Sequence, residues 1–197
     1  MKIFFILLLC ILAVEACMLH KQSAPVQVVI PCTLEIAQDE VPRALPFQTD
    51  AQERLVKLIT DFEGFRSKTY LCPAGQKTIG YGFTGARYVK RGKMTEREAK
   101  NILVNEIIPE TRAVVKKYVK VPLSPYQEAA LISFCFNCGE ASLQALVCRK
   151  GRLNDRNFSA IPDIMKRYVK ADGKTLKGLV KRRDQEANLF CGKEARA

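Results

Sequence analysis

The sequence predicts an α+β fold that is mainly α, with a small β-hairpin lobe and a larger helical lobe around a buried central helix. An apolar-periodic run that includes Leu55 and Ile59 ends at Gly64, and glycine is a residue that stops helices. Two strand-like runs follow, residues 69–71 and 78–81, with a Cys-Pro-Ala-Gly turn between them. The later segments are apolar and begin with helix-capping residues, and one of them is almost free of polar side chains.

The helical lobe begins with two segments that a proline separates. Thr95 and Glu98 form a capping box that starts a helix directed toward Ile108, and Pro109 should end or kink this helix. A second helix is predicted over residues 110–119.

The predicted central helix starts after Ser124, with Pro125 at its first helical position. Residues 129–136 are nearly all apolar up to Asn137, so this helix should be buried. Further helices are predicted over residues 141–150, 162–169 and 179–190.

The N-terminal region has a different composition. Residues 1–16 hold a charged start, an apolar run and a small-residue end, which is typical of a signal peptide, so the protein should be secreted or periplasmic. Two alternatives remain open: lipidation at Cys17, or an uncleaved segment that is a releasable membrane anchor and contacts the membrane only transiently. Residues 17–50 carry four prolines and are predicted to be an extended linker, which places the folded domain at residues 51–193.

Three side chains form the candidate site. Glu63 closes the first helix, Cys72 lies at the hairpin turn and Thr78 lies on the return strand, so a hairpin folded beside the helix end would bring them together. The single histidine, His20, is distant in sequence, which argues against a histidine-based nucleophile and against a zinc site. These residues predict chemistry built on a carboxyl group.

This spacing, Glu63 followed by eight residues, Cys72, five residues and Thr78, resembles the pattern of the phage-type lysozymes and endolysins of glycoside hydrolase family 24. Residues 73–84 match the PAG-x-x-TIGYGHT stretch of that family, and residues 121–139 and 178–190 match two of its later motifs. The resemblance covers roughly residues 51–191.

The resemblance implies a lysozyme-like fold and hydrolysis of the β-1,4 bond between N-acetylmuramic acid and N-acetylglucosamine in peptidoglycan, without a cofactor or metal. Glu63 would be the general acid, and Cys72 and Thr78 would position the attacking water. One carboxyl group in the constellation indicates inversion, with retention through a Cys72 nucleophile as the alternative. The residues expected to contact substrate are Tyr81, Gly82 and Asn137.

Phe83 and a pair of arginines lie within the matched motifs. Phe83 stands where the family has a histidine that pairs with an acidic side chain, so we expect altered packing of the small lobe rather than altered chemistry. Arg182 and Arg183 lie in a basic motif of the family, and such a residue can hold the helix of the acid through charge-assisted hydrogen bonds. We expect at least one of the two at the surface.

The net charge of +12 indicates an anionic partner. With the glycosidase motif beside it, the partner predicted is the anionic bacterial cell wall, and a nucleic acid is disfavoured because no recognition-helix or aromatic-strand signature accompanies the basic residues. We expect a monomer. The alternatives are a chitin-cleaving enzyme and a non-catalytic cationic protein that binds walls or kills bacteria, and the sequence leaves a role in lysis, defence or wall remodelling open.

Cysteines are numerous, with eight in the chain. An exported protein with this many should form disulfides, and the pairing cannot be read from the sequence. Cys135 and Cys138 are spaced one helical turn apart, which favours buried core cysteines over a redox or metal-binding pair.

Overall fold

The computed structural model describes residues 46–72, 75–171 and 173–192 of the 197-residue chain. The predicted leader at residues 1–16, most of the predicted linker and His20 lie outside the described residues. Within the described ranges, no helix is both long enough and apolar enough to cross a membrane.

The small lobe follows the first helix and is built on a three-stranded antiparallel sheet in the order β1-β2-β3. Tyr70 of the first strand pairs with Thr78 of the central strand, and Thr78 pairs with Thr84 of the third strand. The predicted hairpin is therefore confirmed, whereas the third strand was not predicted. The elements are α1 (Pro46–Glu63), β1 (Arg66–Leu71), β2 (Lys77–Gly80), β3 (Phe83–Thr84) and a short helix α2 (Ala86–Val89).

Helix α1 begins at Pro46, so the last five residues of the predicted extended linker are helical. Proline fits the first turn of a helix because its missing N–H would have no partner there and its backbone angle is already helical. At the other end α1 stops at Glu63, as predicted, and Gly64 takes a left-handed conformation with φ of 65°.

The helical lobe contains the remaining helices and a second, two-stranded hairpin. Its elements are α3 (Glu96–Ile102), α4 (Ile108–Tyr118), α5 (Pro125–Cys138), α6 (Glu140–Cys148), α7 (Ile161–Met165), β4 (Lys170–Ala171), β5 (Lys174–Thr175) and α8 (Lys177–Phe190).

The proline predicted to interrupt the first of these helices does so through a widened turn. The Thr95 capping box forms as predicted, and α3 passes into π-helical residues Leu103–Ile107 before α4 begins. The Ile108 N–H donates to the Leu103 carbonyl five residues back. Because Pro109 has no N–H to donate and its ring would collide with a carbonyl of a regular helix, the extra residue in this turn relieves the conflict.

The central helix α5 is buried as predicted, and it packs against α1, α4, α6 and α8. All seven residues from Ala129 to Cys135 are buried, including Leu131, Ile132 and Phe134 with no exposed surface. Burial of one such large side chain contributes about 1.5–3 kcal/mol, so this single stretch organises the lobe. Its start is fixed by the Ser124 capping box.

One predicted helix is too long. Residues 162–169 were predicted as helical, but α7 ends at Met165 because the chain then turns into the β4–β5 hairpin. The Leu176 N–H donates to the Val169 carbonyl at 2.9 Å, which closes the hairpin, and the Tyr168 ring packs edge-on against Phe134 at 5.0 Å. The sequence has an Asp-Gly pair between the residues of β4 and those of β5, and this pair is a hairpin signal that the prediction did not use.

Candidate active site

Glu63 is the last residue of α1. Its side chain lies between α8 of the helical lobe and the β2–β3 turn of the small lobe, and 21% of its surface is exposed. Its Oε1 atom is held by the Arg182 guanidinium of α8, at an Nη1–Oε1 distance of 2.5 Å. Charge-assisted bonds of this kind fix the orientation of a carboxyl group. The helix end and the arginine together give Glu63 a defined direction.

The second carboxyl oxygen of Glu63 faces the sheet. A Cβ atom placed on Gly82 would lie 3.0 Å from Glu63 Oε2, so the turn between β2 and β3 is packed directly against the acid. Gly82 has φ of 79°, a left-handed conformation that glycine adopts without strain. Glycine therefore suits this position in two ways: the backbone angle favours it, and a larger residue would make the Glu63 carboxyl shift by a few tenths of an ångström. Its predicted role in substrate binding stays a prediction.

We predict that Gly82→Ala lowers activity much more than Gly85→Ala. Both glycines have positive φ, and only at Gly82 would the added methyl group press on the Glu63 carboxyl, since the Gly85 position is open. Because displacement of a catalytic group by about 1 Å can cost up to ~100-fold in rate, we expect Gly82→Ala to lose about tenfold or more. Initial rates on a glycan substrate, with melting temperatures of both variants, test this. Equal activity losses in the two variants would mean that backbone strain alone is responsible.

Cys72 and Thr78 are linked through one carbonyl group at the other end of the hairpin. The Gln76 carbonyl accepts the Cys72 N–H at 2.9 Å and the Thr78 hydroxyl at 3.1 Å. Cys72 is half-buried and Thr78 is buried on the central strand. Thr78 lies four residues before Gly82, the residue that faces the Glu63 carboxyl, and the contacts described here join Cys72 and Thr78 to Gln76 rather than to Glu63.

Tyr81 does not hold the position predicted for a substrate contact. Its ring is only 2% exposed, and its hydroxyl donates to Glu96 Oε1 at 2.8 Å. Burial, with Glu96 beside it, raises the pKa of Tyr81 to about 12, so the hydroxyl stays protonated. Tyr81 directly follows β2 and packs inward. We therefore assign it to the core of the small lobe.

Phe83 occupies the position of the histidine in the related motif and belongs to the buried hydrophobic core. Its ring packs edge-on against Tyr81, with centroids 6.4 Å apart, and in a tilted arrangement against Tyr88 at 5.6 Å. Only 2% of Phe83 is exposed. Phe65 extends the cluster through its contact with Tyr81 at 5.7 Å. Phe83 is thus part of an aromatic core, and its effect on the chemistry stays a prediction.

Asn137 lies near the end of α5, where its Oδ1 atom accepts a hydrogen bond from Arg183 Nη2 at 2.6 Å. The side chain remains exposed. Of the two roles considered for Asn137, hydrogen bonding at the helix end is observed, and contact with substrate stays a prediction.

The expectation that Arg182 or Arg183 lies at the surface is wrong, because both are buried, with 3% and 0% of their surface exposed. They share one buried carboxylate: Glu186 Oε1 accepts from Arg182 Nε at 3.1 Å, and Glu186 Oε2 lies 3.0 Å from Arg183 Nε. Ser133 of α5 donates to the same carboxylate at 2.7 Å. The sequence signal was the spacing of the arginines, three and four residues before Glu186 on one helix.

Arg182 is the residue that sequence reasoning underestimated. It connects the Glu63 carboxyl to the Glu186 network, and its guanidinium lies over the rings of Phe62 and Phe136 at 5.7 and 6.0 Å. Burial raises the pKa of the Glu186 carboxyl, while the two guanidiniums oppose that effect. Glu63 is therefore held by a buried pair, Arg182 and Glu186, that has little contact with water.

The cysteine expectations have a mixed outcome. Cys135 is buried, and burial raises the pKa of its thiol to about 11, as expected for a core cysteine rather than a reactive one. Cys138, also expected to be buried, is only half-buried: its sulfur accepts a hydrogen bond from Arg183 Nη1, and burial raises the pKa of its thiol. All four cysteines of the helical lobe are present as thiols, so the predicted disulfides do not form among them: Cys135, Cys138, Cys148 and Cys191.

Comparisons with known proteins identify the family of the chain. A family model described as phage lysozyme matches residues 60–186. The endolysin of Acyrthosiphon pisum secondary endosymbiont phage 1 is 35% identical over 142 residues, which are 70% of this chain and 95% of that protein. The endolysin of Bacillus phage B103 is 34% identical over 143 residues, 72% of this chain, and the chain spans only about half the length of that protein, 54%. The SAR-endolysin of Escherichia phage Mu is 32% identical and is covered to 80%.

Solved structures give the same result. The muramidase domain of SpmX from Asticaccaulis excentricus superposes with a TM-score of 0.60 at 30% identity, covering 69% of this chain and 93% of that one. The endolysin from Escherichia coli O157:H7 phage FAHEc1 superposes with a TM-score of 0.58 at 28% identity, covering 70% and 90%.

A mainly helical lobe around a buried helix, a small antiparallel sheet and an acid at the helix end beside that sheet define the lysozyme class of enzymes. Because the matched family model spans well over half of the residues, the chain belongs to the phage lysozyme family.

Proposed function

We propose that the protein is an endo-acting muramidase that cleaves the β-1,4 bond between N-acetylmuramic acid and N-acetylglucosamine in peptidoglycan. The observation that carries this proposal is the Glu63 carboxyl, which is clamped at Oε1 by Arg182 while Oε2 faces Gly82 of the small lobe. The muramidase domain of SpmX and the phage endolysins similar to this chain support the same substrate class.

In the proposed mechanism, Glu63 Oε2 carries the proton and donates it to the glycosidic oxygen as the bond to the anomeric carbon breaks. Water attacks that carbon from the opposite face of the sugar and releases its extra proton to the solvent as the new C–O bond forms. The Thr78 hydroxyl already donates its proton to Gln76, so its oxygen is an acceptor that can orient this water, and Cys72 on the same carbonyl flanks it. This arrangement supports inversion, and attack by the Cys72 sulfur with retention is the alternative.

The products of a digest test this proposal. Purified peptidoglycan should yield new reducing ends on N-acetylmuramic acid, and the first product should be the α-anomer if the reaction inverts, which early-time NMR detects. Reducing ends on N-acetylglucosamine, or faster release of sugar from chitin, would contradict the assignment of the bond. Binding to the wall with no new reducing ends would instead support the non-catalytic cationic alternative.

Cys72→Asp should retain most of the activity, whereas Cys72→Ala should lose about tenfold or more. An aspartate preserves a polar group that can position the water, and alanine removes it, and misplacement of a reacting group by about 1 Å can cost up to ~100-fold in rate. Rates on suspended peptidoglycan measure both variants.

Alkylation provides the control, because the wild-type chain also has exposed thiols at Cys148 and Cys191. A thiol reagent should inhibit the wild type and leave Cys72→Asp active, since only the first has sulfur in the site. Inhibition of both proteins would trace the effect to another cysteine, and no inhibition of a wild type shown to be modified at Cys72 would remove this residue from the mechanism.

We further propose that residues 1–16 direct export, as a cleaved signal peptide or as a releasable membrane anchor. The similarity to SAR-endolysins of phages PS119, Mu and P21 supports a role of this kind for the N-terminal segment. Peptidoglycan lies outside the cytoplasmic membrane, so a muramidase must reach that compartment. N-terminal sequencing of the protein recovered from membrane and soluble fractions distinguishes the two forms.

A further inference from the structure

The small lobe carries an unusual distribution of charge. Residues 64–95 contain seven Lys or Arg and no Asp or Glu, so this sixth of the chain supplies more than half of the net charge of +12. All seven side chains are exposed: Arg66, Lys68, Lys77, Arg87, Lys90, Arg91 and Lys93. Within the described part of the chain only Arg87 has an ion-pair partner, Glu110 at 2.6 Å.

Two of these lysines are placed side by side by the backbone. Lys68 and Lys93 are partners in an antiparallel β-bridge, which the Met94 N–H to Ser67 carbonyl bond at 2.9 Å and the Thr69 N–H to Gly92 carbonyl bond at 3.1 Å maintain. Like charges directly opposite each other on neighbouring strands are destabilising. An anion bound between them from solution would relieve this repulsion.

We propose that this cationic surface binds a linear phosphodiester polymer of the bacterial wall, one without nucleobases. Exposed lysines spread over two strands and the 90–93 turn suit a flexible chain that presents one negative charge per repeat, because each contact releases counterions. The proposal deepens the muramidase function and rests on it, since such polymers are attached to the glycan that the enzyme would cleave. The same lobe carries Gly82, which faces Glu63.

Two other polyanions fit the surface less well. Binding to a lipid surface grows with the apolar area that is buried, and Leu71 is the one large apolar side chain that the described residues of this lobe expose. Proteins that bind single-stranded nucleic acid stack bases on exposed aromatic rings, whereas Tyr81, Phe83 and Tyr88 of this lobe are buried, Phe65 and Tyr70 are half-buried, and Arg66 already lies over the Tyr70 ring. A hydrophilic polymer needs neither feature.

The test is the affinity of the full chain for fluorescently labelled poly(glycerol phosphate) over a range of salt concentrations. The variant Lys68→Gln, Lys90→Gln, Lys93→Gln should bind more weakly, and the slope of log affinity against log salt should fall by about one for each lysine that contacts phosphate, up to about three. The matched control is Lys174→Gln, Lys177→Gln, Lys181→Gln, which removes the same charge from exposed positions of the helical lobe and should keep the wild-type slope.

Equal weakening by the two triple variants would overturn the proposal, because the effect would then belong to total charge. Tighter binding to phosphatidylglycerol vesicles or to single-stranded DNA than to the polymer, at equal phosphate concentration, would also overturn it. Polymer binding needs no bond cleavage and should be unchanged in Glu63→Gln. The small-lobe triple variant should digest phosphate-free peptidoglycan at the wild-type rate, so failure of this proposal and failure of the muramidase proposal give different results.

Discussion

Replacement of Glu63 by glutamine should lower the rate of peptidoglycan hydrolysis by about 10²–10⁴-fold, the usual contribution of a general acid. Glutamine preserves the shape of the side chain and can still accept a hydrogen bond from Arg182, but it has no proton that it can transfer to the leaving oxygen. The loss should therefore fall on kcat, with little change in KM, because binding of the glycan does not need that proton. Counting new reducing ends over time measures it.

Asp61→Asn is the matched control for this experiment. Asp61 lies two residues earlier on the same helix, and its carboxylate is exposed and paired with Lys57 at 2.9 Å. This change makes the same replacement of a carboxyl group by an amide near the end of α1 and should leave the rate within about twofold, since exposed pairs of this kind contribute little. Melting curves for both variants show whether the fold is intact. A folded Glu63→Gln protein with wild-type activity would remove Glu63 from the mechanism.

The candidate acid could be predicted because its position depends on local signals. The glycine after Glu63 ends the helix, and the turn residues that follow force the chain back as a hairpin, so residues within some twenty positions of each other determine the arrangement. The central helix could be predicted for a similar reason, because the Ser124 cap and an unbroken apolar run leave no other placement.

Contacts between distant segments could not be predicted in this way. Arg182 reaches Glu63 from 119 residues further along the chain. An arginine is usually exposed, so a single sequence favours the surface unless a buried carboxylate is known to face it. The network around Glu186 needs Ser133 of another helix and the packing of α8 on α5, and both depend on the tertiary fold.

The burial of Tyr81 and the third strand of the small lobe could not be predicted from the sequence either. Tyr81 lies in the segment of residues 73–84 that matches the family motif, and the resemblance placed it among the expected substrate contacts. The third strand, β3, pairs Phe83 with Ile79 and turns the chain so that Tyr81 enters the core. A two-residue strand has almost no pattern of its own, and side-chain period alone cannot assign it.

Arg183→Met should have the largest effect on stability. It removes one of the two guanidiniums that balance the buried Glu186 carboxylate and also removes the donor to Asn137. Loss of one partner from a buried ion pair typically costs about 3–5 kcal/mol, because the remaining charge stays buried without compensation. Chemical denaturation at neutral pH measures the unfolding free energy. Lys166→Met is the control, since it breaks an exposed pair with Asp184 and should cost less than about 1 kcal/mol.

The pH dependence separates lost charge balance from lost packing. Burial already raises the pKa of the Glu186 carboxyl above its ordinary value of 4.5, and Arg183 opposes that effect, so Arg183→Met should raise this pKa further. Between the ordinary value and the raised value the folded protein binds more protons than the unfolded chain, and stability falls as pH rises. The difference between variant and wild type should therefore be largest near neutral pH and shrink as pH falls toward 4.5.

A second substitution tests the same cause directly. Adding Glu186→Gln to Arg183→Met removes the carboxylate that the first change left uncompensated, so the double variant should be more stable at neutral pH than Arg183→Met alone. The double variant should also lose the pH dependence of stability that the ionisation of Glu186 causes. If Arg183→Met is no less stable than Lys166→Met, or if its stability loss is the same at every pH, then Arg183 contributes through its contact with the Phe134 ring rather than through Glu186.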